Sequence, residues 1–416
     1  MTRILIILLS LFNFSLHATE QAQQIFAEMA PSLFQIRLID KATGEKSTIG
    51  SGFQISEDGY IATNYHVISG FAQHPDKYII EYENHIGEKG QLTLQTVDVI
   101  NDLAIVRLEE DYQPQYFTVS TTTPTKGEEL YSLGNPHDLG MIVVPGTYNG
   151  LKKESFNDRI HFTGSVNPGM SGGPVVNRFG EVVGINVASS GNQIGFLIPH
   201  QKLAALINQF EEQVALTIDQ QITAQLKKNQ SELLTDILSS TWQSKAFATA
   251  SIPKTGVNYI RCWGNSNADK PNALIFTAVT NCQMEDYVYL SENFNTSTVD
   301  MEFHYLSAED ISSTRFYQIY QKQINRAVAS NRAGKEDVSE FECQHDITEN
   351  QGNLRNKSVL CVRAYKKYQG LFDVMYIAAS IDKGNQAIVS HFTLSGVEQE
   401  LAQQFNKKFM ESVKWN

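Results

Sequence analysis

No cysteine precedes Cys262 in this 416-residue chain; the four present, Cys262, Cys282, Cys343 and Cys361, all lie in the C-terminal half. The N-terminal half has no disulfide to brace it and must be held by its own core. Basic residues are outnumbered, 33 Lys and Arg against 45 Asp and Glu, for a net charge of −12. That balance argues against nucleic acid or an anionic membrane surface as partner. No apolar run beyond the N-terminus reaches the length of a membrane span, so no stable membrane insertion is expected. No His or Cys spacing forms a zinc site, and neither a metal nor another cofactor is expected. What is there, 42% apolar and 19% charged residues, is ordinary globular composition, with length for two or three domains.

The N-terminus reads as a targeting segment. Arg3 is a positive start, Ile4 to Phe14 is a short apolar run, and Ser15-Leu16-His17-Ala18 ends on a small residue. This predicts a signal peptide over residues 1–18, cleaved after Ala18. The other reading is an uncleaved anchor. With cleavage, the mature protein is soluble and exported, periplasmic or secreted, in a compartment that permits disulfides.

The densest small-residue stretch is Gly164 to Pro174, G-S-V-N-P-G-M-S-G-G-P. An attacking hydroxyl needs backbone N–H groups turned toward the oxyanion it creates, and glycines allow that approach cheaply. Ser171 is the candidate nucleophile, with the N–H groups of Gly169 and Ser171 as the oxyanion hole. The alternative for this stretch alone is a glycine-rich turn with an incidental serine.

The first two hundred residues carry many short strand patterns and few helices, which suggests an all-β barrel or sandwich. His66 follows the strand Tyr60 to Asn64, a position that suits a fixed general base. Asp102 interrupts the apolar run from Val97 to Leu108, and a carboxylate there needs a partner. An imidazole N–H makes sense of it; a turn aspartate after Asn101 is the alternative. Asp98 looks solvent-facing by alternation.

Together these segments resemble the trypsin-like serine proteases, most of all their HtrA (Deg-type) branch. The resemblance rests on GSGF at Gly50 to Phe53, GYIATNYHV at Gly59 to Val67, DLAIVRL at Asp102 to Leu108, LGNP at Leu133 to Pro136, GMSGGP at Gly169 to Pro174, and Val183 to Ile198. It spans about residues 22–210 and implies a two-barrel antiparallel fold over a domain at 19–210. It also implies the roles: Ser171 attacks, His66 moves the proton, Asp102 orients the imidazole. The expected function is an exported serine endopeptidase for unfolded or extended polypeptides. The alternative is a weak or inactive protease-fold binder acting through its C-terminal half.

The chain departs from the family at Met170, where Asn or Asp is usual; methionine cannot hold the loop by a strong hydrogen bond. By resemblance, Ser165 and Asn186-Val187-Ala188 border the specificity pocket, and the absence of charge there favours a small or medium apolar residue before the cut. The same strand edge should pair with an extended substrate. Family members often form trimers, for which Phe26 or Phe34 could serve. His74, His85, His137 and His200 read as surface residues; for His161, ten residues before Ser171, a place at the substrate site is the less favoured reading.

Beyond His200 the pattern turns helical, and residues 211–255 read as a helical spacer ending in a linker at Ser251 to Gly256. Residues 256–416 read as an α+β domain without a recognisable PDZ carboxylate loop. Two stretches, 257–327 and 339–414, suggest an internal duplication: two cysteines, a strand, then His304 to Ser307 or His391 to Ser395 opening a helix. Two ordinary β-to-α stretches are the alternative. A true repeat selects the pairs Cys262–Cys282 and Cys343–Cys361. Ser395 and Glu398 read as a capping box for the last helix.

Overall fold

The computed structural model describes residues 16–109, 115–189, 194–212, 216–270, 272–325, 328–352 and 354–416. The expected targeting segment lies almost wholly outside the described residues; helix α1 (Leu16–Met29) runs through the expected cleavage point. No described helix is long and apolar enough to cross a membrane. The chain divides into two compact units, Met1–Lys152 with Asn157–Ile218, and Lys153–Phe156 with Asp219–Asn416.

The first unit is mainly β. Strands β1 (Leu33–Asp40), β2 (Lys46–Gln54), β3 (Tyr60–Thr63), β4 (Tyr78–Asn84), β5 (Lys89–Asp98) and β6 (Leu103–Leu108) close into an antiparallel barrel, ordered β1-β2-β3-β6-β5-β4. Helix α2 (Tyr65–Gln73) joins β3 to β4. Strands β7 (Glu129–Gly134), β8 (Ile142–Leu151), β9 (Ile160–Phe162), β10 (Pro174–Val176), β11 (Val182–Ser189) and β12 (Gly195–Pro199) close a second barrel, ordered β10-β11-β12-β9-β8-β7, and α3 (His200–Glu212) follows. Closure leaves no open sheet edge, so neither barrel needs a disulfide brace. Leu33, Phe53, Leu103 and Ile105 of the first barrel share a core with Leu133, Val176, Ile185 and Ile198 of the second. That shared core holds the two barrels against each other.

Phe34 departs from the sequence reading here. Phe34 is 3% exposed and packs edge-on to Tyr82 inside the first barrel, so it offers no surface for assembly; Phe26 packs against the shared core. Arg37, on β1, is fully buried and pairs with Glu81 and Glu83 of β4. Removing it would leave Glu81 without this partner and Glu83 with Lys89, 3.6 Å away. Arg37→Ala is expected to lose about 2–4 kcal/mol of stability in urea unfolding, the lower end because the glutamates are partly solvated.

In the second unit α4 (Ile218–Ser239) buries Ile222, Leu226, Leu233, Leu234 and Ile237. It is a packed core helix, where the sequence suggests a spacer. The expected linker is a strand: β14 (Ala250–Lys254) pairs with β13 (Gln243–Phe247) on one side. On its other side the C-terminal Lys414–Trp415 pairs only with Ala250 and Ser251. Pro253 therefore sits where one side of the strand is unpaired, a place proline tolerates.

The remaining strands are β15 (Ile260–Ser266), β16 (Phe276–Met284), β17 (Val288–Ser291), β18 (Phe294–Thr296), β19 (Val299–Ser307), β20 (Glu342–Glu349), β21 (Arg355–Ala364), β22 (Phe372–Ser380) and β23 (Gln386–Val397). Seven form one sheet, ordered β15-β16-β19-β23-β22-β21-β20. Helix α5 (Ser313–Ile324) packs on one face through Phe316 and Tyr320, and α6 (Gln399–Ser412) on the other through Phe405 and Phe409. The disulfides join Cys262 to Cys282 and Cys343 to Cys361, each pair directly opposite across a hairpin.

The histidine stretches do not open helices. His304 to Ser307 end β19 and His391 to Ser395 lie inside β23, the two central strands of the sheet. Central pairing overrides the helix-start signal. Ser395 is buried and hydrogen-bonds Thr298, so it makes no capping box; the cap position is Glu398. The halves also differ in connection: β16 pairs directly with β19, whereas β21 reaches β23 only through β22. The duplication is not strand for strand.

Candidate active site

His66 and Asp102 are 36 residues apart in sequence and meet because of barrel register. Strands β3 and β6 are antiparallel neighbours, with Thr63 opposite Ala104. The residues just after β3 and just before β6 therefore lie side by side. His66 is the second residue of α2, and Asp102 closes the turn from β5 to β6. Asp102 adopts a left-handed φ of 62°, which aspartate tolerates better than most residues.

Every oxygen of Asp102 has a task. Oδ2 lies 2.7 Å from His66 Nδ1, and Oδ1 accepts from the His66 backbone N–H at 2.8 Å. Its carbonyl accepts from Asn64 Nδ2 at 2.8 Å and from the Tyr65 N–H at 3.2 Å. The carboxylate thus fixes both the ring and the backbone of the histidine. With the ring proton on Nδ1, Nε2 carries the lone pair. Burial pulls the His66 pKa down, but the charge and hydrogen bond of Asp102 outweigh it, and the pKa lies above its ordinary 6.5.

Ser171 enters through its main chain. Its carbonyl accepts from the Ser51 N–H at 2.7 Å, which ties the loop to β2 of the first barrel. A Cβ on Gly172 would meet Ser51 O at 2.3 Å and Asn64 N at 2.8 Å, so the loop passes hard against the strand end that leads to His66. Gly172 has φ +85° and Gly169 +95°. Side chains at either position would be both strained and obstructed. Ser51 ties the loop a second time: its hydroxyl donates to Gly169 O at 2.7 Å and accepts from the Asn135 N–H at 2.9 Å. Sequence reasoning did not single out Ser51, although it lies inside the GSGF segment.

Met170 is fully buried and packs with Leu130, Phe162, Val175 and Val183 inside the second barrel. It anchors the loop by dispersion where a polar residue would do so by hydrogen bonding. Ser165 is exposed. Asn186 turns its side chain inward. It is fully buried, accepts from Ser132 Oγ at 2.9 Å, and donates to Leu133 O at 3.2 Å. Its backbone bonds Gly172 and Gly173, so it braces the nucleophile loop. Strand β10 pairs with β11 only as far as Ile185, and β12 pairs with it through Ser189. Residues 187–189 therefore run on beyond β10, including Val187 at a bulge; the Ala188 side chain lies outside the described residues.

Of the remaining histidines, His200 is buried rather than on the surface, its Nδ1 at 3.1 Å from Val183 O. His161 is half-buried on β9, its ring 6.4 Å from that of Phe196. Among the described residues no cluster of His, Cys, Asp and Glu could hold a metal ion.

Comparison with known proteins finds similarity in the first half of the chain. A family model described as a trypsin-like peptidase domain matches residues 50–185. A "Probable periplasmic serine endoprotease DegP-like" of Chlamydia pneumoniae is 31% identical over 230 residues, covering 50% of this chain and 46% of that protein. "Serine protease HTRA4" of Mus musculus is 30% identical over 202 residues, covering 45% and 40%. A solved serine endoprotease from Yersinia pestis has 29% identity and a TM-score of 0.40, covering 45% of this chain and 66% of that one. The chain spans less than half the length of those two curated relatives. Residues 50–185 thus match the trypsin-like peptidase domain, the first half of the chain is similar to HtrA and DegP-like serine endoproteases, and no clear PDZ domain follows among the described residues.

Proposed function

We propose that the chain is an exported serine endopeptidase that hydrolyses peptide bonds of unfolded or extended polypeptides, its protease domain spanning residues 19–210 after a cleaved signal peptide. The observation that carries this reading is the His66–Asp102 pair beside a glycine loop that presents Ser171. Ser171 Oγ attacks the scissile carbonyl while His66 Nε2 takes its proton. Asp102 holds the imidazole and stabilises its charged form. The N–H groups of Gly169 and Ser171 receive the oxyanion. The acyl-enzyme forms as His66 returns the proton to the leaving amine, and water repeats the sequence. Extended substrate pairs along residues 187–189 of β11, where backbone hydrogen bonds give affinity with little side-chain selection. A small or medium apolar residue precedes the cut. Export is supported by the relative named as periplasmic and by the two disulfides.

A fluorophosphonate probe tests the reading directly: the wild type should be labelled and Ser171→Ala should not. An unlabelled wild type would leave only an exported binding protein. The pH profile gives a second check. Protonated His66 cannot act as base, and its pKa is raised, so the acid limb of kcat/KM should have its midpoint above 6.5. A midpoint below that value would contradict the Asp102 partnership.

A further inference from the structure

The segment Asn135–Gly140 between β7 and β8 carries two consecutive non-glycine residues in the left-handed region, His137 at φ 52° and Asp138 at φ 63°. Such backbone persists only when its surroundings hold it. The holding groups are visible. Asp138 Oδ1 accepts from Gln35 Nε2 of β1 at 2.7 Å, and Oδ2 pairs with Lys46 Nζ at the start of β2. The hydrogen bond from Lys46, then that from Gln35, lowers the Asp138 pKa, so the carboxylate stays charged. Asn135 Oδ1 accepts from the Gly140 N–H at 3.0 Å and closes the base of the segment.

What the strained turn presents is a single backbone donor. The His137 N–H donates to Pro168 O at 2.9 Å. In a trans peptide the C=O and N–H point in opposite directions. Fixing the Pro168 carbonyl against His137 therefore turns the Gly169 N–H away from the segment. The two segments are in close contact: a Cβ on Gly169 would meet Asn135 O at 2.4 Å and His137 N at 3.1 Å. At Met170 the loop has no polar side chain of its own to set this peptide.

We infer that Asp138, with Lys46 and Gln35, is a latch between the two barrels that sets the Pro168–Gly169 peptide in its oxyanion-binding orientation through the His137 N–H. These are positioning residues; none touches substrate. The inference rests on the peptidase reading above. Lys46 and Asp138 are 39% and 43% exposed, so the ion pair is open to screening by salt.

The test compares Lys46→Met, Asp138→Asn and the charge exchange Lys46→Asp with Asp138→Lys, using the full chain, a peptide ester and a peptide aldehyde. The aldehyde forms a tetrahedral adduct that reports on the oxyanion hole. Each single variant should lose roughly three- to tenfold in kcat with KM little changed, and bind the aldehyde more weakly by a similar factor. The exchange should recover part of both. Molar salt should lower kcat of the wild type but not of the single variants. Lys46 is at the surface, so Lys46→Met keeps the test open if Asp138→Asn folds poorly. Unchanged kcat and aldehyde affinity in Lys46→Met, or a loss confined to KM, overturns the latch while the peptidase reading stands. A wild type inert to fluorophosphonate overturns both.

Discussion

Ser171→Ala is expected to reduce kcat about 10⁶-fold while leaving the fold intact, the scale seen when a triad nucleophile is removed from another serine protease. The reason is local. Ser171 is tied to the protein by its carbonyl, which accepts from the Ser51 N–H, and alanine keeps that bond. Only the attacking hydroxyl is lost. What activity remains would come from water attacking a carbonyl polarised by the Gly169 and Ser171 N–H groups. Single-turnover hydrolysis of a denatured protein, followed by mass spectrometry, would measure the loss and map the cleavage sites. Thermal denaturation would confirm the fold. A loss smaller than a hundredfold would mean that another group attacks.

Asp102→Asn should cost about 10⁴-fold, through the tautomer rather than the geometry. The His66 backbone N–H already donates to Oδ1, so the amide oxygen of asparagine would keep that place. The amide NH₂ would then face Nδ1, and donor would meet donor. To relieve this the ring proton moves to Nε2, the atom that must act as base. The sign of the stability change is also fixed. The folded pKa of His66 is raised, so the pair contributes stability that is fully present below the unfolded value near 6.5. That contribution fades as pH rises through the folded value. The gap in unfolding free energy between wild type and Asp102→Asn should therefore be larger at pH 5 than at pH 9. A gap independent of pH would contradict the ion pair.

The second unit shows where reading by pattern stops. The periodicity of α4 was visible in Ile222, Leu226, Leu233, Leu234 and Ile237, but not that its apolar face packs into a core. Spacer and core helices share one period, and only the partner surface separates them. His391 to Ser395 carried a good helix-start signal, yet they fill the central strand of a seven-stranded sheet. Local signals of about 1 kcal/mol, such as a cap, yield to pairing on both sides of a strand.

In the first unit the residue types of the site were legible because chemistry restricts them. Glycines at 169 and 172 stand where left-handed backbone meets close neighbours, and a half-buried carboxylate at 102 requires a donor. Asn186 lies on β11, and only the packed barrel shows its amide turned inward to Ser132 and Leu133. The contacts of Ser51, Asp138 and Lys46 across the two barrels were beyond any local pattern. Sequence by itself determined the kinds of groups available for catalysis and the strands that carry them. Tertiary structure decided which distant groups touch, because barrel closure sets register and register alone brings residues 66 and 102 together.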